Sequence, residues 1–387
     1  MIPYGRQDVS QEDIDAVVDV LRSDWLTQGP VVPRFERAVA AKVGARCAVA
    51  VNSATSALHI ACLALDLGPG DRLWTVPNTF VASANCGRYC GAEVDFVDID
   101  PKTWSLSLPC LRDKLARAKQ DGCLPKVVVP VHFAGQPTEQ EAIWELAREF
   151  GFKIIEDASH AIGASRDGEP VGSCRFSDIT VFSFHPVKII TTGEGGMALT
   201  NDEEIAWRMS VLRTHSVTRE RERMIYAPDG PWSYEQQTLG FNYRMTDIHA
   251  ALGSSQLARL DEWVERRNFL AKRYQAELRG LPLRLPVVKQ ENYSAFHLYV
   301  VRVCRAESRK TRLEVFESLR DAGVGINVHY TPVHLQPYYR RLGFAPGQFP
   351  EAEAHGAEAI TLPLYPTLSE REQDHVIEAL EDALRRD

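Results

Sequence analysis

Short apolar runs alternate with amphipathic stretches over the first two-thirds of the chain. The runs Val127-Val128-Val129 and Ile154-Ile155 are apolar at consecutive positions, which is typical of strands whose two faces are both covered. Strands that alternate with helices favour a mostly parallel sheet between two layers of helices. The predicted strands lie at residues 47–51, 73–77, 93–99, 126–133, 153–157, 179–184 and 196–200.

Helical periodicity marks the stretches between these runs. Ile143, Leu146 and Phe150 recur at helical spacing and predict a helix that ends at Phe150. Thr138 and Glu141 have the spacing of a capping box, which predicts that this helix begins at Thr138.

The alternation stops after residue 214. Residues 215–240 are charge-dense and turn-forming. This pattern is compatible with a solvated loop and with a loop that lies over an active site. A long helical pattern follows at about 246–279, and its length indicates an element that bridges two domains. We therefore predict a large domain at residues 1–250 and a smaller α+β domain at residues 251–387.

Composition excludes several classes of protein. The 387 residues carry 44 Lys and Arg against 52 Asp and Glu, a formal net charge of -8 that argues against general binding to a phosphate backbone. No run approaches the ~20 apolar residues that span a bilayer. The start shows no basic region before an apolar run, so we expect no secretory signal. We expect a cytoplasmic protein with no nucleic-acid or membrane partner.

The eight cysteines do not form a metal-binding pattern. Cys86 and Cys90 have a Cys-x3-Cys spacing, but no second Cys/His pair follows at a zinc-like distance. Pro332 breaks the helical spacing between His329 and His334. We expect reduced thiols and assign no metal ligand.

The first place that suggests chemistry is the end of the strand at 153–157. Asp157 follows Ile154-Ile155-Glu156 directly, and ligands of open α/β sheets bind at the carboxyl ends of strands. An acid there is a general base, a metal ligand or the counter-ion of a buried cation. The competing interpretation is a helix N-cap.

The second place is a single lysine after another predicted strand. Lys188 lies between Pro186 and the apolar pair Ile189-Ile190, and a glycine-rich turn follows. A lysine in apolar surroundings is partly desolvated, which lowers its pKa and frees the amine as a nucleophile. The ordinary alternative is a solvated lysine.

The third place is the passage from a strand into a helix at Ser53-Ala54-Thr55. Backbone amides and hydroxyl groups at a helix N-terminus suit a phosphate. Neither a Walker A loop nor a Gly-x-Gly-x-x-Gly fingerprint is present, which favours a phosphorylated cofactor such as pyridoxal 5'-phosphate (PLP). One such cofactor fits all three places, with its phosphate at residues 53–55, its ring nitrogen beside Asp157 and its aldehyde on the amine of Lys188.

With these places in view, the sequence resembles the DegT/DnrJ/EryC1/StrS family of sugar aminotransferases, nearly end to end. The resemblance implies a PLP-dependent α/β enzyme of the aspartate-aminotransferase-like fold (fold type I), with a large, mostly parallel, seven-stranded sheet domain and a smaller C-terminal α+β domain. The matching segments are Leu26-Thr27-Gln28-Gly29-Pro30, Pro77-Asn78-Thr79-Phe80, Val131-His132-Phe133-Ala134-Gly135, Glu156-Asp157-Ala158, Ser183-Phe184-His185 with Lys188, Gly193-Glu194-Gly195-Gly196, and Gly240-Phe241-Asn242-Tyr243-Arg244-Met245-Thr246-Asp247.

The resemblance implies catalytic roles for three residues. Lys188 would hold PLP as a Schiff base and carry the proton, and Asp157 would keep the ring nitrogen protonated. His160 would lie beside the phenolic oxygen of the cofactor. Further cofactor contacts are implied for Phe80, which stacks on the ring, for Ala54, Thr55 and Ser183 at the phosphate, and for Asn242. The resemblance has Asn242 reach the neighbouring subunit's site, which implies a homodimer.

A narrower likeness is to the C4-aminotransferases of pseudaminic acid biosynthesis. It implies transfer of an amino group from L-glutamate to the C4 keto group of a UDP-4-keto-6-deoxy-N-acetylhexosamine, the L-altro sugar of that pathway. Ordinary turns and packing are the alternative explanation for the residues that would face this substrate. These residues are Tyr4, Leu26, Thr27, Gln28, Gly29, His185, Asn327, His329 and Tyr330.

Four other functions stay open. Another 3- or 4-keto nucleotide-sugar is the nearest of them. A PLP-dependent sugar dehydrase would be expected to carry His in place of Lys188, and a non-catalytic sensor of the same fold would be expected to lose Lys188 or Asp157. A nicotinamide oxidoreductase lacks its glycine fingerprint here.

Overall fold

The computed structural model describes residues 1–304, 306 and 308–385. In this part of the chain the α-helices are α1 (Gln11–Arg22), α2 (Val31–Val43), α3 (Ala54–Ala64), α4 (Ala82–Tyr89), α5 (Leu108–Gln120), α6 (Gln140–Phe150), α7 (Glu203–Leu212), α8 (Asp247–Leu257), α9 (Leu260–Glu277), α10 (Arg312–Asp321), α11 (Pro337–Arg340), α12 (Pro350–Glu358) and α13 (Glu370–Arg385). The strands are β1 (Cys47–Val51), β2 (Arg72–Thr75), β3 (Glu93–Phe96), β4 (Val127–Val129), β5 (Lys153–Asp157), β6 (Ser165–Arg166), β7 (Glu169–Pro170), β8 (Ile179–Ser183), β9 (Gly196–Thr200), β10 (Val217–Thr218), β11 (Glu235–Gln236), β12 (Leu283–Arg284), β13 (Asn292–Tyr293), β14 (Tyr299–Val303) and β15 (Ala359–Leu362).

The largest sheet of the described residues has seven strands in the order β1-β9-β8-β5-β4-β2-β3. The pairs from β8 through β5, β4 and β2 to β3 are parallel, whereas β9 is antiparallel to both β1 and β8. This arrangement confirms the predicted large, mostly parallel sheet. Strands β1, β5 and β9 have the predicted bounds, and the other four end earlier than predicted.

Helices cover both faces of this sheet, as strand β9 illustrates. Its Ala198 lies in the core cluster on one face, together with residues of α3. Its neighbours Met197 and Leu199 lie in the cluster on the other face, with Phe35 of α2 and Ala250 of α8. Side chains of a strand point alternately to the two faces, so every side chain of β9 is buried.

A second sheet lies in the C-terminal third of the chain. Strands β12, β14 and β15 form it with antiparallel pairs, and it packs with α9, α10 and α13 around a core of its own that includes Tyr299 and Ile360. Other side chains of β14 and β15, such as Val300 and Ala359, join the core of the seven-stranded sheet. The domain boundary at residue 250 stays a prediction.

Two predictions about helices are wrong. The single helix expected at 246–279 is two helices, α8 and α9, because Arg259 leaves the helical conformation and its guanidinium pairs with Asp8 and Asp13 of the N-terminal segment. The capping box at Thr138 does not form either. The backbone N–H of Thr138 donates to His132 Nδ1 (3.0 Å), and α6 begins at Gln140 without a side-chain cap.

Among the described residues, no helix combines the length and the apolar character that crossing a membrane requires. The cysteines at 47, 62, 86, 90, 110, 123 and 174 are free thiols. No group of three or more His, Cys, Asp or Glu side chains in the described residues is arranged to hold a metal ion.

Candidate active site

A cavity of about 540 Å³ opens at the edge where β5 and β8 end. Gly196 at the start of β9 pairs with Ser183 at the end of β8 and with Val51 at the end of β1, so these strands meet at the same edge. Ligands of open α/β sheets bind at this edge. The cavity brings together twelve of the predicted site residues: Tyr4, Ala54, Thr55, Phe80, Asp157, His160, Ser183, His185, Lys188, Asn327, His329 and Tyr330.

The start of α3 forms one wall of the cavity. Ser53 caps this helix, and its hydroxyl accepts a hydrogen bond from Ser56 N–H (3.1 Å). A Cβ on Gly196 would lie 2.5 Å from Ala54 N, so glycine at this position lets β9 pack against the helix start. Ala54 and Thr55 lie in the first turn, where backbone N–H groups lack partners inside the helix. This wall suits a phosphate group.

Asp157 lies at the end of β5 and is 5% exposed. One carboxylate oxygen accepts a hydrogen bond from Ser83 Oγ (2.6 Å), and the other accepts from Ser159 N–H (3.1 Å). Thr79 Oγ1 lies 2.7 Å from Ser83 Oγ and extends this network. No helix follows β5, so the interpretation of Asp157 as a helix N-cap is wrong.

Ser83 is not among the site residues predicted from the sequence. It lies in the first turn of α4, four residues after Thr79, and it follows the segment Pro77–Phe80 that the resemblance had already marked. The signal was therefore a second hydroxyl group at helical spacing from a marked motif.

Lys188 lines the same cavity and is partly buried. Burial lowers the pKa of its amine from the usual 10.5 to about 8, although the negative charge of Asp157 opposes the shift. This direction agrees with the pKa lowering predicted from the sequence, and it leaves a usable fraction of neutral amine near pH 7.

Three histidine rings surround the amine. Burial and the charge of Lys188 hold the pKa of His160 and of His297 well below the usual 6.5 and lower that of His329 to about 4. The rings of His160 and His297 lie 4.5 Å apart. Lys188 is the one lysine or arginine among the described residues that line the cavity. His297 was missed, and its local sequence carries no signal that would have marked it.

Tyr330 and Phe80 line the cavity from opposite parts of the chain. Tyr330 Oη lies 3.2 Å from His160 Nε2, and its ring centre is 6.5 Å from that of Phe80. Phe80 is 59% exposed, which leaves its ring open to stack on a planar ligand. The ring of Tyr4 lies 5.8 Å from His329 at the same wall.

Five predicted site residues do not line the cavity of this chain: Leu26, Thr27, Gln28, Gly29 and Asn242. Residues 26–29 pack against the start of α8, where Thr27 bridges Thr246 and Asp247 N–H donates to Leu26 O (3.1 Å).

Asn242 is exposed but lies near the cavity wall. Its neighbour Tyr243 accepts a hydrogen bond at the carbonyl oxygen from the N–H of Asn52 (2.8 Å), and Asn52 precedes Ser53, which lines the cavity. Residues 215–240 do not line the cavity of their own chain, which argues against a lid over that site. The roles of Asn242, of residues 26–29 and of the other site residues stay predictions.

The groups in the cavity fit PLP on several independent points. The orphan N–H groups at the start of α3 suit its phosphate, the buried carboxylate of Asp157 suits a protonated ring nitrogen, and the low-pKa amine of Lys188 suits its aldehyde. The exposed ring of Phe80 suits its planar face.

Comparison with known proteins agrees with this geometry. The model of the DegT/DnrJ/EryC1/StrS aminotransferase family matches residues 7–381. The spore coat polysaccharide biosynthesis protein SpsC of Bacillus subtilis (strain 168) is 39% identical to this chain, and the match covers 99% of this chain and 97% of SpsC.

Solved structures are similar over nearly the whole length. Spr1654 from Streptococcus pneumoniae, solved in a PLP form, has a TM-score of 0.88 at 31% identity, with 99% of this chain and 98% of that chain covered. Helicobacter pylori PseC, an aminotransferase involved in the biosynthesis of pseudoaminic acid, has a TM-score of 0.89 at 28% identity, with 99% of both chains covered.

Proposed function

Because the chain belongs to the DegT/DnrJ/EryC1/StrS aminotransferase family and is a PLP-dependent sugar aminotransferase, we propose that it aminates C4 of a nucleotide-linked keto-sugar. The proposed donor is L-glutamate and the proposed acceptor is a UDP-4-keto-6-deoxy-N-acetylhexosamine of pseudaminic acid biosynthesis. The observation that carries the proposal is the single cavity in which Lys188 and Asp157 face Asn327, His329 and Tyr330.

Lys188 is the proposed acid and base of both half-reactions. Its pKa of about 8 lets the amine take a proton from a substrate carbon and return it near neutral pH. Bound PLP supplies the electron sink for the C–H bond that breaks. Asp157 would hold its negative charge against the ring N–H of the bound cofactor, and Ser83 and the backbone of Ser159 fix the direction of that carboxylate.

Polar but neutral groups form the proposed sugar side of the cavity. His329 Nδ1 lies 2.7 Å from Thr361 Oγ1, and His329 O lies 3.0 Å from His355 Nε2, so the segment that carries Tyr330 is held on both sides. A fixed set of neutral donors and acceptors suits hydroxyl, keto and N-acetyl groups. His185 and Asn327 are proposed to contribute to the same surface.

We also propose that the active enzyme is a homodimer. A UDP-sugar carries a diphosphate, whereas Lys188 is the one lysine or arginine among the described residues that line the cavity. Groups outside the chain's own cavity therefore have to complete the site. The exposed Asn242 at the cavity edge is the proposed contribution of the neighbouring chain.

A second keto-sugar substrate has support of its own. SpsC, a protein of spore coat polysaccharide biosynthesis, is 39% identical to this chain, whereas PseC is 28% identical. An aminotransferase for another 3- or 4-keto nucleotide-sugar that enters a polysaccharide is therefore the alternative to the pseudaminic acid pathway.

The direct test incubates the purified protein with PLP, L-glutamate and a panel of UDP- and dTDP-linked 3- and 4-keto-sugars. We expect release of 2-oxoglutarate and an amino-sugar whose NMR spectrum places the new nitrogen at C4 of the UDP-linked sugar. Turnover with a different sugar alone supports the alternative. The aminotransferase proposal fails if no sugar of the panel accepts the amino group from the glutamate-treated protein.

A further inference from the structure

His160 lies between a backbone donor and a tyrosine. Ala134 N–H donates to His160 Nδ1 at 3.2 Å, and a backbone N–H has no acceptor capacity. His160 Nδ1 therefore carries a lone pair and no hydrogen. Burial and the neighbouring charge of Lys188 keep the pKa of His160 well below its usual value, so the ring is neutral. We assign its single hydrogen to Nε2.

This assignment fixes the direction of the next hydrogen bond. His160 Nε2 lies 3.2 Å from Tyr330 Oη, so the histidine donates and the tyrosine oxygen accepts. The hydroxyl hydrogen of Tyr330 then has to point elsewhere. Within the described part of the chain, Tyr330 Oη has no hydrogen-bond partner besides His160, and Tyr330 lines the cavity beside Lys188.

Further hydrogen bonds hold both ends of the series Ala134, His160 and Tyr330. Ala134 O accepts from Leu298 N–H (3.3 Å), and Gly135 O accepts from Ala295 N–H (3.0 Å), so the loop that carries the first donor is tied to the segment before β14. That segment also carries His297, whose ring packs against His160. At the other end, His355 and Thr361 hold His329, the neighbour of Tyr330.

We propose that Tyr330 donates its hydroxyl hydrogen to an oxygen of the reactants bound beside Lys188, and that His160 is the positioning residue that fixes this direction. The proposal rests on the proposed function. The acceptor is an electron-rich oxygen close to the reacting carbon. Two sources share this chemistry: the phenolic oxygen of PLP and the keto oxygen of the sugar.

Three variants separate the donor from the residue that positions it. Tyr330→Phe removes the hydroxyl group and keeps the ring. His160→Leu removes both hydrogen bonds of the imidazole. His160→Gln keeps an oxygen that accepts from Ala134 N–H and an amide that donates to Tyr330. Tyr299→Phe is the matched control, because Tyr299 is buried, donates to Gln275 and does not line the cavity.

The first measurement is the pH titration of the visible absorbance of the PLP-loaded enzyme without sugar. If the acceptor is the phenolic oxygen, loss of a hydrogen bond to this charged group raises the titration midpoint by about one to two pH units in Tyr330→Phe and in His160→Leu. His160→Gln and Tyr299→Phe keep the wild-type midpoint. This readout needs no substrate, so it stands even if the proposed function fails.

The second measurement is the kcat/KM of each half-reaction. If the acceptor is the keto oxygen, Tyr330→Phe and His160→Leu lower kcat/KM much more in the sugar half-reaction than in the reaction with glutamate. The loss in the sugar half-reaction is about 10- to 100-fold, the equivalent of one hydrogen bond to an oxygen that gains negative charge as the amine adds to the carbonyl carbon.

Three outcomes overturn the proposal. In the first, Tyr330→Phe matches the wild type in both measurements. In the second, His160→Leu matches the wild type while Tyr330→Phe does not. In the third, His160→Gln is as impaired as His160→Leu, so the ring acts by packing alone. If His160→Leu does not fold, as judged by circular dichroism, Tyr330→Phe and His160→Gln still decide the matter.

Discussion

The active-site cavity and the outer segment (residues 219–239) differ in the kind of side chain that they bury and expose. In the cavity, the carboxylate of Asp157 is buried and has protein partners in the Ser83 hydroxyl and the Ser159 N–H. In the outer segment, large apolar side chains are exposed: Leu239 is 79% and Tyr226 is 77% exposed. Ile225, Trp232 and Tyr234 of the same segment are exposed as well.

The difference indicates which part of the enzyme one chain completes by itself. Buried polar groups are stable when the chain supplies their hydrogen-bond partners, and the wall around Asp157 meets this condition. Covering a large apolar side chain is worth about 1.5–3 kcal/mol, and one chain leaves this gain unused in the outer segment. A second copy of the chain that covers the outer segment would gain this free energy, in line with the proposed homodimer.

The largest expected effect tests the cavity alone. Lys188→Ala should lower the transfer of amino groups by up to about 10⁴-fold, because the variant lacks the positioned acid and base. Single-turnover release of 2-oxoglutarate measures the loss. The matched control is Lys272→Ala, at an exposed position of α9, which should keep wild-type activity. Near-normal turnover in Lys188→Ala would contradict the assignment of this lysine.

The next effect tests whether the buried network around Asp157 matters as a unit. Asp157→Asn should lower kcat by about 10²–10³-fold, because the amide cannot stabilise a protonated ring nitrogen. Ser83→Ala should lower kcat by only about tenfold, because Ser159 N–H still holds the carboxylate. A larger loss in Ser83→Ala than in Asp157→Asn would contradict this order.

A mixing experiment tests whether the two regions meet across chains. Asn242→Asp should lower activity by about 100-fold, because the added carboxylate repels phosphate. A refolded 1:1 mixture of the Lys188→Ala and Asn242→Asp chains should recover about a quarter of the wild-type activity, because one site in each mixed dimer is intact.

The double variant provides the control for this experiment. Chains that carry both Lys188→Ala and Asn242→Asp, mixed with wild-type chains, should form inactive mixed dimers if Asn242 acts across the interface. If Asn242 acts within its own chain, those dimers keep one intact site, and the mixture of single variants recovers nothing.

A smaller effect tests the outer segment directly. Leu239→Asp should weaken self-association by about 10- to 100-fold, because a charge replaces an apolar contact. Sedimentation velocity over a concentration series measures the shift towards monomer. Leu313→Asp, at an exposed position of α10, is the control and should not change the association. Equal behaviour of the two variants would separate the outer segment from the interface.

The smallest effect is a pH dependence of the cofactor-free protein. Only the neutral amine of Lys188 reacts with the aldehyde of PLP, and its fraction increases as the pH rises through its pKa of about 8. The capture rate should therefore increase about tenfold per pH unit below pH 8 and level off above it. A rate that continues to increase up to pH 10 would show that the amine is solvated like a surface lysine.

Local patterns predicted much of the fold. Strands β1, β5 and β9 have the predicted bounds, because a run of apolar residues followed by a turn is a property of neighbouring positions. The same holds for the helix start at Ser53, where the cap bonds a residue three positions away. The break between α8 and α9 was not predictable in this way, since Arg259 is held there by Asp8 and Asp13.

The candidate site also contains residues that local patterns predict and residues that only long-range contacts bring together. The sequence by itself determined that Asp157 and Lys188 follow strands at the edge where ligands bind, because each lies next to its own apolar run. Only the tertiary structure decided which groups surround them. Ser83 reaches Asp157 across 74 residues, and Tyr330 reaches His160 across 170 residues. Contacts of that separation depend on how whole elements pack, which no pattern of neighbouring residues records.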